Sequence, residues 1–195
     1  MLQTKLQKIF DKYNGTLPTK LAIKEGLTKE TLRKAYLRGD VEKPNRGVFV
    51  LPDAFFDDYF ALQTTYSKGI YSHESALLLH ELTTFSPFRY YMTFPKSYHT
   101  SQLEKNKIKP IYTIEPYYKL GRTEVKTWFG NIVRVYDKER TVLDMLASKH
   151  SSKSIIDEMW GNYLNDKDKD PQRLYAYAEK MNRQKLLVER NQVLA

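Results

Sequence analysis

Apolar residues in the first fifty positions recur in two rhythms. Leu2, Leu6, Ile9 and Phe10 stand three and four apart with Lys5, Lys8 and Lys12 between them, which predicts an amphipathic helix stopping near Asn14-Gly15. Pro18 suits the first turn of a short second helix that carries Leu21, Ala22 and Ile23 inward and ends at Gly26. Thr28 has the chemistry of an N-cap for a third helix, Lys29 to Arg38, closed by Gly39. In that helix Leu32, Ala35 and Tyr36 share one face, and Lys29, Glu30, Arg33, Lys34 and Leu37 take the other. The rhythm then shortens. Val41-Glu42-Lys43 and Val48-Phe49-Val50-Leu51 flank Pro44-Asn45-Arg46-Gly47, the pattern of a β-hairpin.

The remaining chain alternates less regularly. Residues 53–66 predict a helix linking two domains, with Asp53, Asp57 and Asp58 crowding its first turns where the helix dipole favours them. After a break at Lys68-Gly69, Ser72 is expected to cap a helix running through Leu79. Tyr90 to Phe94 and Ile111 to Ile114 read as strands. Glu124 to Trp128 and Ile132 to Val135 read as a hairpin around Phe129-Gly130-Asn131. Helices are expected at about 138–148, 153–164 and 171–193. The expected fold class is therefore α+β: an N-terminal helix-turn-helix with a hairpin over 1–52, a linker helix over 53–66, and an antiparallel-sheet and helix domain over 67–195.

Composition narrows the chemistry. The chain has 195 residues, 41% of them apolar, which is enough for a core and argues against disorder. It has no cysteine, which removes disulfides, Cys-based zinc sites and thiol catalysis and fits a reducing cytoplasm. No apolar run reaches transmembrane length, and the first residues lack the apolar stretch of a signal peptide, so a cytoplasmic protein without membrane contact is expected. The net charge is +9, and residues 1–51 carry +6 of it. A basic module on a nearly neutral one points to a polyanion partner, here double-stranded DNA.

The order helix, turn, helix, basic-tipped hairpin is that of a winged helix-turn-helix, whose recognition helix enters the major groove. Arg33 is the first candidate for a base contact, since its planar fork can grip guanine bidentately; Lys29 and Lys34 suit phosphates. Thr28 and Arg38 flank them on the helix, and Lys43, Asn45 and Arg46 lie on the wing.

Elsewhere the residue patterns favour structure over chemistry. His73 and His80 are seven apart, about 10 Å along a helix axis, too far to share a metal. Ser72 and Ser75 lack an activating base. Glu124 and Lys126, with Glu115 as the nearest upstream acid, form the weak outline of a metal-dependent nuclease, the alternative to a regulator. Asp137, Glu139, Arg140 and Asp144 fit an N-cap, a first-turn acid and an i,i+4 ion pair. Neither cofactor nor metal nor enzymatic activity is expected.

Several segments in fixed order resemble a known family. Arg46-Gly47-Val48-Phe49, then Gly69-Ile70-Tyr71-Ser72-His73-Glu74-Ser75-Ala76-Leu77 through His80-Glu81-Leu82, are similar to AbiEi-type antitoxins of abortive-infection, type IV toxin–antitoxin pairs. The resemblance continues in Tyr91-Met92-Thr93-Phe94-Pro95 and from Val135-Tyr136-Asp137 through Glu139-Arg140-Thr141 to Asp144, and covers residues 1 to about 150. It implies an N-terminal winged helix that binds inverted repeats in its own promoter, and a C-terminal domain that counters a nucleotidyltransferase-type toxin.

Overall fold

Leu6, Ile9 and Phe10 bury the inner stripe of α1 (Thr4–Lys12) as its spacing requires. The structure, a computed structural model, describes residues 4–193; Leu2 of the expected stripe lies outside them. Asn14 and Gly15, both with positive φ, turn the chain into β1 (Thr16–Pro18), which the sequence pattern did not reveal because three residues cannot display alternation. Pro18 accordingly precedes the second helix, α2 (Thr19–Lys24), as its extended N-cap instead of occupying its first turn. The strand lies at a sheet edge, where a residue without an N–H is tolerated. Gly26, at φ 80°, makes the tight turn into α3 (Lys29–Leu37), and the Thr28 hydroxyl accepts the Thr31 N–H at its start. β2 (Glu42–Asn45) and β3 (Val48–Val50) follow as an antiparallel hairpin, completing a three-stranded sheet of order β1-β3-β2. One core joins these pieces, from Leu6 and Phe10 through Leu17, Ala22 and Leu32 to Phe49.

The chain divides into two compact units: Met1–Ser67 with Lys126–Val133, and Lys68–Val125 with Arg134–Ala195. This division differs from the expected one in two ways. The helix expected at 53–66 is shorter, α4 (Asp58–Thr65), and belongs to the first unit. The tip of the hairpin expected in the C-terminal domain also belongs there. Asp57 explains both. Instead of lying in the helix it is the N-cap, wholly buried: one carboxylate oxygen accepts the Phe60 N–H, and the other accepts the Thr127 hydroxyl and the Asn131 amide. Phe55 stacks on Phe129, and Tyr59 meets Trp128 edge-on.

The second unit is built on a five-stranded sheet of order β6-β5-β4-β8-β7. In chain order its elements are β4 (Ile70–Tyr71), α5 (His73–Leu79), β5 (Tyr90–Pro95), α6 (Gln102–Lys105), β6 (Ile108–Thr113), β7 (Arg122–Lys126), β8 (Ile132–Tyr136), α7 (Lys138–Leu146), α8 (Lys153–Asn165), α9 (Pro171–Lys180) and α10 (Gln184–Val193). β7 and β8 lead to and from the tip that belongs to the first unit. The fold class is α+β. The sheet, expected to be antiparallel, is mixed: β4 and β5 pair antiparallel, while β5 and β6, and β4 and β8, pair parallel. Residues 96–107, with α6, carry the chain back so that β6 runs in the direction of β5. Leu77, Val142, Leu143, Met159, Trp160 and Leu174 lead the core that joins α5 to the C-terminal helices.

Two further expectations fail locally. Ser72 stands at the N-cap of α5, yet its hydroxyl makes no cap bond; it accepts from the Thr93 hydroxyl on the neighbouring strand. The helix expected over 171–193 breaks between α9 and α10, where Asn182 takes φ 53° and Arg183 reaches Asp144 at 2.7 Å. Among the described residues no helix is long and apolar enough to cross a membrane.

His73 and His80 carry a pH dependence. His80 Nε2 donates to the Tyr136 carbonyl at 2.6 Å, which fixes its tautomer, and His73 stacks on Tyr91. Burial holds both rings below the ordinary histidine pKa, so both are neutral in the folded chain at neutral pH. The unfolded chain binds more protons below about pH 6.5, so their contribution is complete above that value and is lost as pH falls beneath it. The melting temperature is expected to fall between pH 7.5 and pH 5. A shallower fall is expected in His80→Gln, which keeps an N–H donor for Tyr136; an identical pH profile in the variant would exclude His80 as a source.

Candidate functional site

A concavity of about 410 Å3 opens in the first unit between α3 and the β2–β3 hairpin. Lys29, Arg33 and Lys43 line it together with Thr19, Leu32, Tyr36, Gly47 and Phe49; no carboxylate is among the lining residues. Its floor follows from packing: the buried core residues Leu32 and Phe49 close it from beneath. Gly47, at φ 81°, makes the hairpin turn, and its carbonyl accepts the Thr19 N–H at 2.8 Å, tying the turn to the start of α2. α1 is tied to α2 by Glu25, which accepts Lys12 Nζ and the Tyr13 hydroxyl, each at 2.7 Å. The Lys12 and Tyr13 bonds hold the Glu25 carboxyl below its usual range, and burial with the Glu25 bond pushes the Tyr13 phenol up to about 12.

The sequence-derived candidates fall as follows. Arg33 is exposed and weakly paired with Glu30 one turn away, at 3.5 Å, a contact that leaves most of its fork for other acceptors. Lys29 and Lys34 are both exposed on α3. Lys43 sits over the Phe49 ring, 5.7 Å from its centroid, so its stem is held while its ammonium stays wet. Asn45 and Arg46 are exposed at the hairpin end. Thr28 is committed to its cap, with its oxygen turned toward Thr31. Arg38 differs from the others: it ends α3, and Asp40 takes its Nε at 2.8 Å and its Nη2 at 2.7 Å, so its charge is largely neutralised. Tyr36, placed on the inner face by periodicity, is 47% exposed and lines the concavity, as the packed face of α3 narrows to Leu32 and Ala35. Sequence reasoning missed Tyr36, Thr19 and Phe49 as lining residues; the only signal was that an aromatic followed the two small-face positions at the edge of the stripe.

The residues of the nuclease alternative lie elsewhere. Glu115 pairs with Lys119 at 3.6 Å, and Glu124 shares a shallow depression with Arg122, Thr123 and Arg134. Glu124 and Lys126 are both exposed on β7. Among the described residues no group of three or more His, Asp or Glu side chains could hold a metal ion.

Of the segments that carry the resemblance, Arg46 to Phe49 belong to the first unit, and those at 69–82, 91–95 and 135–144 lie on the strands and helices of the second. Tyr71 of β4 pairs with Val135 of β8, and His80 reaches the carbonyl of Tyr136. Asp137 caps α7 by accepting the Arg140 N–H; Arg140, 3% exposed, gives Nε to Asp144 at 2.9 Å and Nη1 to the carbonyls of Tyr117 and Leu120. Arg140 thereby ties α7 to the turn that precedes β7.

No family model matches the chain, and no curated protein matches it. Among solved structures the chain is similar to the crystal structure of the RV2827C protein from Mycobacterium tuberculosis, at 12% sequence identity and a TM-score of 0.47, over 90% of this chain and 81% of that one.

Proposed function

We propose that the first unit is a winged helix-turn-helix that binds double-stranded DNA, and that the whole chain is a cytoplasmic autorepressor and antitoxin rather than an enzyme. The observation that carries the DNA reading is the convergence of Lys29, Arg33 and Lys43 on one concavity without a lining carboxylate, between an exposed helix face and a hairpin. Cations on two adjoining elements suit a duplex: the helix enters the major groove while the hairpin follows the flanking backbone. Arg33 reads a base, Lys29 and Lys34 hold phosphates, and Lys43 with Arg46 contacts the strand beside the groove. Arg38 is a lesser contributor, because binding DNA would mean giving up Asp40. Two copies on an inverted repeat supply the specificity that one small module lacks.

The antitoxin reading rests on the resemblance at residues 69–82 and 135–144, which supports a partner of the nucleotidyltransferase toxin type. Co-expression with the product of the neighbouring gene is its test: growth restored by this chain supports it, and continued toxicity at matched expression sinks it.

For DNA binding, fluorescence anisotropy with the upstream promoter duplex is the direct measurement. Arg33→Ala is expected to cost about 1–3 kcal/mol on the operator and less on random duplex. Lys29→Ala is expected to weaken both sequences alike and to lower the salt slope by about one unit. Equal losses on operator and random DNA for Arg33→Ala would remove its base-reading role. No salt-dependent binding to either duplex would remove the DNA reading itself.

A further inference from the structure

The second unit holds a polar cavity of about 210 Å3 that the proposed function leaves unused. His73 at the start of α5, Thr113 at the end of β6, Arg140 and Asp144 on α7, Ser148 just beyond it, and Arg183 between α9 and α10 supply its polar wall. One carboxylate and two guanidiniums set the charge. Asp144 accepts Arg140 Nε on one oxygen and Arg183 Nη1 on the other, so its acceptors are engaged and the wall keeps one positive charge.

The two arginines differ in what they have left to give. Arg140 is fully buried, and besides Asp144 it donates to two backbone carbonyls. Arg183 is 29% exposed, and among the described residues Asp144 is the one hydrogen-bond partner of its guanidinium, so part of its planar fork remains for another acceptor. His73 adds a second unmet group: its Nδ1 is buried with no partner, and its backbone takes φ 50°, uncommon for a residue with a Cβ.

A net positive polar wall with an open arginine edge and the Thr113 hydroxyl is the chemistry of an oxyanion site. The donors come from separate elements, which suits a tetrahedral anion with acceptors on every side better than a planar carboxylate. The volume is below the roughly 300–1,000 Å3 of sites for drug-sized ligands, so it holds one compact group. We propose that this cavity binds a phosphoryl oxyanion, with Arg183 as its principal donor and the Thr113 hydroxyl beside it. The phosphoryl group is either inorganic phosphate or the 5′-phosphate of a nucleotide whose remainder lies outside. The proposal is independent of the DNA reading.

Isothermal titration of the full chain with inorganic phosphate, adenosine 5′-monophosphate and acetate tests it. The wild type is expected to bind phosphate or the nucleotide saturably at one site, and acetate at least about tenfold more weakly. Arg183→Gln, which keeps an amide for Asp144, is expected to weaken phosphate about tenfold or more, with a melting temperature close to wild type. Thr113→Val is expected to weaken it severalfold, and Arg122→Gln, an exposed cation of the same unit, to bind as wild type. A nucleotide at least about tenfold tighter than phosphate identifies the nucleotide as the source; equal affinities identify free phosphate. No saturable binding of either, acetate as tight as phosphate, wild-type affinity in Arg183→Gln, or an equal loss in Arg122→Gln would each overturn the proposal. If Arg183→Gln does not fold, Thr113→Val decides, and unchanged affinity there overturns it.

Discussion

Asp57→Ala is expected to destabilise the first unit by about 3–5 kcal/mol, measured by urea unfolding with a probe in that unit. Three donors converge on this one buried carboxylate: the Phe60 N–H at 3.0 Å, the Asn131 amide at 2.9 Å and the Thr127 hydroxyl. Thr127 and Asn131 are themselves buried, so truncation strands both without water to replace the lost acceptor. The N-cap of α4 is lost at the same time. Asp57→Asn keeps an acceptor oxygen for the cap but presents an amide to two other donors, so it is expected to fall between Ala and wild type. A loss below about 0.5 kcal/mol for Asp57→Ala would show that the hairpin tip is held by its aromatic contacts instead, Phe55 on Phe129 and Tyr59 on Trp128.

In the second unit the largest loss is expected from Arg140→Ala, about 3–5 kcal/mol. Its guanidinium lies over the Tyr136 ring, 4.4 Å from the centroid, and bonds Asp144 and the carbonyls of Tyr117 and Leu120. Removing it empties the space over the ring and leaves two carbonyls unmet. It also leaves a buried carboxylate with only the partly exposed Arg183. Arg140→Met restores packing without the donors, and combining it with Asp144→Leu removes the stranded charge as well. The double variant is therefore expected to be more stable than Arg140→Met alone, because a buried ion pair is costly to break from one side and far less costly to replace entirely. Additive losses in that cycle would show that the two residues do not act as a pair.

The two predictions differ in how much of their residues' local role the sequence makes legible. Asp137 as a cap, Arg140 and Asp144 as an i,i+4 pair, and Thr28 as the start of α3 follow from side-chain chemistry within one helical turn, and the structure agrees. Asp57 was legible only as an acid near a helix start. Its other partners stand seventy residues and more away, and nothing in the spacing connects them. The strands β1 and β4 were missed because two or three residues have no measurable period. The parallel pairings were missed because strand direction depends on the path of a long connection, which leaves no periodic trace. At the candidate site, the cations on α3 were visible as one helix face. The neutralisation of Arg38 by Asp40 and the outward turn of Tyr36 depended on how that helix seats on its core.

By itself, the amino-acid sequence determined the α+β class, the start and packed face of most helices, and the concentration of positive charge in the first fifty residues, because each of these is set by neighbours within a few positions. Only the tertiary structure decided that Lys29, Arg33 and Lys43 share a concavity, that residues 126–133 join the first unit, and that His73, Arg140, Asp144 and Arg183 wall a single cavity. Those groupings arise where separate elements are pressed together by burial of their apolar faces, and burial fixes distance without regard to order along the chain.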